Sequence, residues 1–374
     1  MKIALLSYST RPRGGVVHTL HLAEALAALG EDVTVWTLGR GGDTGFFRPV
    51  SPAVRLRIVP FPDRAPGPVA ETVGERVLRS IATLRDAFDP APYDIVHAQD
   101  CISANAVGRC VRTVHHIDHF TTPELAACHE RALVEPHTHV CVSAAVAEEL
   151  RAGWGRSAQV IPNGVAYDRF AATDPAARAG WRDRLGRYVL TVGGIEPRKG
   201  SLDLLEAYAL LRAGHPGVRL VVAGGETLFD YRDYRARWDA RAAELGVEPV
   251  LLGPVPDDRL PALVAAADAF AFPSRKEGFG LAAMEALAAG VPLVVRDLPV
   301  LREVFGPAAR FATTPAHLAA ALGRALTVED PARRAAGREL AAAHTWAEAA
   351  RRHLALYRSL RRPGALTPPA AAGP

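Results

Sequence analysis

Cysteine is scarce in this chain: 374 residues hold four, Cys101, Cys110, Cys128 and Cys141. None forms a CxxC pair and the spacing fits no zinc ribbon, so thiols buried in a reducing compartment are expected. No apolar run reaches the roughly 18 residues that a membrane span requires. The opening MKIALLSYSTRPRGG has too short an apolar stretch for a secretory leader, and no small-residue cleavage site follows it, so a cytoplasmic protein is expected. The net charge of +4 is too small to demand a nucleic-acid partner. It is uneven: residues 1–165 carry 16 basic and 17 acidic side chains (net −1), residues 166–374 carry 28 and 23 (net +5). Lysine is almost absent. Only Lys2, Lys199 and Lys276 stand against 41 arginines, which singles out the positions that keep it. Hydrophobic residues make up 49% and charged residues 22%, an ordinary globular balance that excludes a mainly disordered chain. Glycine and proline are plentiful but follow no short period, which excludes collagen, and no repeat of about 20–50 residues is found. At roughly 100–200 residues per domain, the length predicts two domains.

Short apolar strands alternate with helical stretches. KIALLSYS (Lys2–Ser9) is followed by the loop TRPRGG and a helical pattern over Val16–Leu29. DVTVWTL, RLRIVPF, DIVHAQD, RTVHHI, THVCVS and AQVIPNG read as further strands, with helices such as Pro123–Val134 and Ala144–Trp154 between them. Such alternation implies a parallel sheet covered on both faces. It pauses from Asn163 to Arg187, which we read as the junction, and resumes at RYVLTVGG with VRLVVAGG, VEPVLLG, AFAFPS and PLVVRD and helices at Leu202–Arg212 and Leu281–Ala289. The expected architecture is α/β: two Rossmann-like, doubly wound domains, residues 1–165 and 166–344, facing across a cleft. Residues 345–362 are expected to form a helix and 363–374 a mobile tail. Ligands of such sheets bind beyond the carboxyl ends of the strands.

Five segments there carry chemistry. Gly14 and Gly15, before the first helix, let a ligand approach the backbone, and the helix N-terminus with Arg11 and Arg13 suits a phosphate; an ordinary strand-to-helix turn is the plain alternative. Arg198-Lys199-Gly200 in GGIEPRKG puts two cations after a strand and before a helix, the place for a diphosphate rather than a merely solvated basic pair. In PSRKEGFGLAAMEALAAG, Glu277 and Glu285 flank seven residues. Glu277 belongs to the loop mouth and Glu285 lies one turn inside the helix. A carboxylate in so apolar a helix needs donors, which sugar or ribose hydroxyls supply, unless an arginine or backbone group pairs it. The amides of Phe279, Gly280 and Leu281 suit a phosphate. RTVHHIDHF holds His115, His116, Asp118 and His119. A metal site is one reading, but adjacent histidines on a continuing strand face opposite ways, so a single cleft histidine that hydrogen-bonds a substrate is preferred. Asn163-Gly164 in VIPNGVAYDRF marks a strand-exit turn. The amphipathic stretch Thr345–Leu360 reads as a docked helix, with an anionic membrane surface as the other reading.

Taken together, PSRKEGFGLAAMEALAAGVPLVV resembles the donor-binding signature of the retaining glycosyltransferase family 4, with its Glu–seven residues–Glu spacing. VGGIEPRKG resembles that family's phosphate-binding strand and loop, VIPNGVAYDRF its interdomain segment, Gly14-Gly15 its N-terminal loop, His115 its active-site histidine, and TWAEAARRHLALYRSL its crossing helix. The resemblance implies the GT-B fold, a nucleotide diphosphate sugar (UDP-, GDP- or ADP-linked) as co-substrate and no essential metal or other cofactor. Arg198 and Lys199 would neutralise the leaving diphosphate, with Gly194 in the same loop. Glu285 would bind ribose, Glu277 the donor sugar beside Gly278, and His115 would sit by the reaction centre. Where the family often has Arg after the strand's glycine this chain has Gly194, and where it often has Asp after NGV this chain has Ala166; His116 is the alternative to His115. The expected function is a retaining transfer of a sugar to a hydroxyl acceptor, a carbohydrate, lipid or small metabolite. Nucleic acid is not expected as a partner, and peripheral contact with the inner membrane face is compatible but not required. A nucleotide-sugar epimerase on the same fold and a metal-dependent hydrolase using HHIDH are the alternatives.

Overall fold

The computed structural model describes residues 1–63, 71–118, 120, 122–225 and 231–361. The first half contains β1 (Lys2–Leu6), α1 (Gly14–Ala28), β2 (Asp32–Arg40), β3 (Val54–Phe61), α2 (Val73–Ala87), β4 (Ile95–Ala98), α3 (Cys101–Val107), β5 (Val111–Val114), α4 (Pro123–Val134), β6 (Thr138–Cys141), α5 (Ala144–Trp154) and β7 (Gln159–Val160). Two helices, α6 (Tyr167–Ala171) and α7 (Pro175–Leu185), lead to the second half. That half contains β8 (Arg187–Val192), α8 (Ser201–Gly214), β9 (Val218–Ala223), α9 (Arg232–Glu244), β10 (Val250–Gly253), α10 (Leu260–Ala265), β11 (Ala269–Phe272), α11 (Leu281–Ala288), β12 (Leu293–Arg296), α12 (Pro299–Phe305), β13 (Ala309–Ala312), α13 (Pro315–Thr327), α14 (Pro331–Ala343) and α15 (Trp346–Leu360).

All strand pairs are parallel, and the sheet orders are β3-β2-β1-β4-β5-β6-β7 and β10-β9-β8-β11-β12-β13. Each order reverses once, between β1 and β4 and between β8 and β11, and crevices open at such reversals. The loops after those four strands therefore hold Arg13, Gln99, Arg198 and Glu277. Strand residues read as continuous apolar runs because both sheet faces are covered: Ile3, Leu5, Val33 and Val140 pack under α1 and α15, while Ala4, Leu6 and Leu38 pack under α2 and α3.

The structure shifts several sequence boundaries. Helix α1 begins at Gly14 rather than Val16, because Arg13 is the last extended residue (φ −127°, ψ 150°), so the glycine pair forms the helix's first turn. Strand β2 runs to Arg40 because β3 pairs with it that far, Arg40 opposite Phe61. The junction stretch has no strand, as read, but folds into α6 and α7, each leaving apolar side chains such as Phe170 and Trp181 for the second core.

Helix α15 crosses back onto α1. Trp346, Ala350, His353, Leu354 and Tyr357 are buried, and Arg351, Arg352 and Arg358 are exposed. The apolar stripe is thus used up by docking rather than offered to a membrane. No helix among the described residues is long and apolar enough to cross a membrane. The stripe's tyrosine is satisfied inside: the Tyr357 hydroxyl lies 2.6 Å from His97 Nδ1, and His97 Nε2 lies 2.7 Å from Thr113 Oγ1, whereas His353 Nε2 is buried without a hydrogen-bond partner. Other ties between the halves are the Glu303 carboxylate, which accepts from the amides of Ala144 and Ala145 at 2.6 and 2.9 Å, and the Lys276–Glu149 pair at 3.1 Å.

Tyr357→Phe keeps the packing but leaves a buried imidazole nitrogen unsatisfied. A loss of about 1–3 kcal/mol is expected, read as a melting temperature lower by a few degrees. An unchanged melting temperature would show that the bond adds nothing.

Candidate active site

The second half's reversal point is built by two loops. After β8 the chain runs Gly193-Gly194-Ile195-Glu196 into a short turn, Pro197–Lys199, and Gly200 (φ +67°). After β11 it runs from Pro273 to Gly280. The loops touch: Arg275 N donates to Arg198 O at 2.7 Å, and a Cβ at Gly200 would stand 2.3 Å from Pro273 O. Glycine at 200 is therefore required both by its left-handed backbone and by this approach.

This contact brings Arg198 and Lys199 to Glu277. Arg198 Nη1 lies 3.1 Å from Glu277 Oε1, Lys199 Nζ donates to the same oxygen, and Arg198 Nη2 lies 3.1 Å from Glu196 Oε1. Burial works against the charge on Glu277, but Lys199 and Arg198 outweigh it and hold the carboxyl at about 2. The Lys199 stem lies along Gly193, and its ammonium is 5.1 Å from the Phe272 ring centre. Gly193 and Gly194 line a small recess beneath the loop with Lys199 and Trp238.

Facing these groups is the end of β5. The strand stops at Val114, so His115 and His116 are free of sheet alternation and part company. His116 Nε2 is 3.1 Å from Asp118 Oδ2. Burial opposes the charge on Asp118, yet His116 and Arg198 hold it at about 2, so this acid looks across to the second half's cations. His115 turns to α1: its ring lies 3.6 Å from where a Gly15 Cβ would be and 4.8 Å from the His18 ring centre. Burial, then Arg112 and His116, push its pKa well below the ordinary value, and its Nε2 is buried without a hydrogen-bond partner. The His115 carbonyl abuts Gly278, where a Cβ would overlap it at 1.6 Å. Only glycine at 278 lets the loop after β11 meet the β5 end.

The other expected residues fall as follows. Phe279 is buried, its ring 5.8 Å from His344, which leaves only its backbone for a ligand. Gly280 is the left-handed residue before α11, and Leu281 packs against both the first and the second core. Glu285 stands apart from the cation pair. Burial raises its carboxyl to about 8; the charges that act on it are Arg169 and Asp257, themselves paired at 2.6 Å. Its carboxylate has no hydrogen bond or ion pair among the described residues, so the pairing with an arginine that the sequence left open is not made. Asn163 is buried, with Oδ1 2.9 Å from His18 Nδ1, while a Cβ at Gly164 would meet the backbone of Trp346. The turn thus serves the docking of α15. His119 lies outside the described residues. Among those described, no three His, Cys, Asp or Glu side chains are grouped to hold a metal.

Sequence reading missed Glu196 and His18. Glu196 lies within GGIEPRKG, and an acid two places before Arg198 and three before the retained Lys199 is the signal that was available. His18 had none, because its neighbours His115, His353 and Asn163 are remote in the chain.

The first half, residues 12–169, matches the family model "Glycosyltransferase Family 4", and residues 182–342 match "Glycosyl transferases group 1". The chain is 30% identical to the D-inositol 3-phosphate glycosyltransferase of Acidothermus cellulolyticus over 89% of this chain and 84% of that one. It is 28% identical to the phosphatidyl-myo-inositol mannosyltransferase of Mycobacterium leprae over 97% and 98%. In fold it is similar to sucrose-phosphate synthase from Thermosynechococcus elongatus (TM-score 0.77, 22% identity, 96% and 98% covered). Anabaena HepE in complex with UDP-glucose gives a TM-score of 0.70 at 20% identity, with 96% and 100% covered.

The buried histidines make stability acid-sensitive. His18, His97 and His115 are held well below 6.5 by burial, and His21 and His353 are held at about 4. The folded values lie below the unfolded one, so the unfolded chain takes up protons first. Stability is whole above about 6.5 and is lost as pH falls from there towards 4, by as much as about 1.4 kcal/mol per pH unit for each group. Glu285, raised instead, runs the other way. Melting temperatures between pH 7.5 and 5 should drop steeply; a flat profile contradicts burial of these rings.

Proposed function

The chain belongs to the group 1, family 4 glycosyltransferases and has the GT-B fold, and from that premise we propose a retaining transfer from a nucleotide diphosphate sugar to a hydroxyl acceptor. The observation that carries the proposal is the meeting of Arg198 and Lys199 with Glu277 at the β8–β11 reversal. Glycosyl transfer builds negative charge on the leaving diphosphate. Cations already fixed by ion pairs stabilise that charge without reorganising as it forms. The amides of Phe279, Gly280 and Leu281, at the N-terminus of α11, and those of Gly14 and Gly15, at the N-terminus of α1, add partial positive charge.

In this reading Glu277 sits beside the diphosphate and accepts from hydroxyls of the attached sugar. Glu285 accepts from the ribose, which supplies the donors its apolar helix lacks. His115, kept neutral by burial, contributes a hydrogen bond and a wall at the sugar rather than a charge. Its lone buried Nε2 is the atom available for that. The acceptor hydroxyl attacks from the face the diphosphate leaves, and the departing phosphate oxygen takes its proton; the C1–O bond to phosphate breaks as the new glycosidic bond forms. Two fixed cations take the part that a divalent metal plays elsewhere, so no essential metal is proposed. UDP-, GDP- and ADP-sugars remain the candidate donors, and thermal shifts against each identify the one bound, since a true donor raises the melting temperature by mass action. The relatives named for inositol phosphate and phosphatidyl-inositol acceptors favour a polyol hydroxyl as acceptor. Neither epimerase nor hydrolase chemistry draws support from the relatives.

Lys199→Ala is expected to lower kcat/KM by about two to three orders of magnitude, because it strips one charge from the leaving group's cradle. Near-normal turnover would remove the phosphate assignment. Product NMR should show the donor's anomeric configuration kept. The ribose role has its own test. A Glu285 carboxyl at about 8 is mostly protonated at pH 7, and hydroxyls that donate to both of its oxygens favour the ionised form, so nucleotide binding should release up to about one proton and tighten as pH rises towards 8. Calorimetry in buffers of differing ionisation enthalpy measures this. Equal heats in all buffers, or release that persists in Glu285→Gln, would refute it. Activity should survive EDTA; loss that zinc or magnesium restores would overturn the metal-free reading.

A further inference from the structure

The carboxyl end of the first sheet holds groups that donor chemistry does not use. Arg40 closes β2 and is only 8% exposed. Its Nε donates to the Tyr8 carbonyl and its Nη2 to Ser80 Oγ, both at 2.9 Å. Its guanidinium lies 5.4 Å from the Tyr8 ring centre and 4.9 Å from that of Phe61. Arg79 also stacks on Phe61, at 3.9 Å, which gives an internal comparison. Arg79 is neutralised by both oxygens of Glu71, at 2.7 and 2.9 Å. Arg40 has no carboxylate at ion-pair distance among the described residues. Burial lowers its pKa only to about 10, so it is charged at neutral pH, and the neighbouring charges are Arg76, Arg13 and Asp100. Arg11 sits beside Arg13 and is paired with Asp43 at 3.6 Å. A stacked, buried arginine without a counter-ion costs stability that packing on Phe61 alone does not explain, since Arg79 shows how a purely structural one is balanced.

The same reversal point has orphaned hydroxyl-binding groups. Gln99, 1% exposed, follows β4, and neither atom of its amide has a hydrogen-bond partner. Asp100 caps α3 through Oδ1, 2.8 Å from Ser103 N, while its Oδ2 is buried without a partner. Tyr8 feels Arg13, Arg40 and Asp100 from its own half and Glu196 from the other, the acid paired with Arg198. These groups therefore border the loop that carries Glu196 and Arg198.

We propose that the acceptor is an anionic polyol, a phosphate ester whose phosphate is held by Arg40 and Arg13 at the ends of β1 and β2 and whose hydroxyls are met by Gln99 and Asp100. This rests on the transferase reading and names its acceptor class. The phosphate belongs either to a soluble polyol monophosphate or to the headgroup of a lipid, and the fork of Arg40 suits both.

Calorimetry on the full chain, with inositol 3-phosphate and glucose 6-phosphate set beside inositol and glucose, reads the first source. Co-sedimentation with phosphatidylcholine vesicles, with and without phosphatidylinositol, reads the second. A phosphate ester is expected to bind at least about tenfold more tightly than its neutral parent in one of the two arms, and Arg40→Gln should erase the difference, a charged hydrogen bond being worth about 10- to 100-fold. Should Arg40→Gln fail to fold, Arg13→Gln, at a half-buried position, is expected to narrow the preference in the same arm. Equal binding of charged and neutral polyols in both arms overturns the inference. So does a preference that both substitutions leave intact. Donor thermal shifts on the same protein separate the failures: a donor shift without anion preference sinks the acceptor class alone, whereas no shift with any nucleotide sugar sinks the transferase reading.

Discussion

The site depends on one ion-pair cluster, Glu277 held by Lys199 and Arg198. It requires two loops from neighbouring strands to close on each other, and that closure is possible because Gly200 clears the Pro273 carbonyl. Once formed, the cluster fixes two half-buried cations at the sheet's reversal point, where charge interactions are stronger than in open water. Gly278 then sets how near the other half comes, since it admits the His115 carbonyl. Charge placement and the approach of the two halves are thus decided by two short loop segments, residues 198–200 and 277–278.

Glu277 and Glu285 show how far environment outweighs residue type. Both belong to the same loop–helix segment, and both are taken out of water. One is held at about 2 because two cations face it; the other rises to about 8 because its helix offers only apolar neighbours, with Arg169 already paired to Asp257. One acid is therefore permanently charged near neutral pH, and the other is poised to ionise when donors arrive. Groups whose environments separate them in this way commonly divide the tasks of a site.

The first half is arranged differently. Its reversal point is bordered by neutral histidines on the α1 side and by a stacked arginine on the α2 side. His18, His97, His115 and His353 lie ring to ring between β5 and α15, with centre separations of 4.8 to 6.3 Å. The crossing helix therefore backs the wall that carries His115 and is not merely a clasp.

Strand–helix alternation, the pause after Asn163 and the loop composition around Arg198 and Glu277 were legible in the sequence. Those features are local: apolar runs, caps and glycines act over a few residues, and so an α/β fold with two parallel sheets and the family could be read before any coordinates. Helix boundaries at Gly14 and the extent of β2 were not, because pairing with β3 and the extended backbone of Arg13 decided them. Nor was the fate of individual charges. That Glu285 would find Arg169 already taken, that Arg40 would be stacked without a counter-ion, that His115 and His116 would separate, and that His18 would meet residues from three distant segments all depend on which groups exclude water from one another. Sequence settled which residues were available. Tertiary structure alone decided which of them lost their solvent, and with it which charges are paired, shifted or left for a ligand.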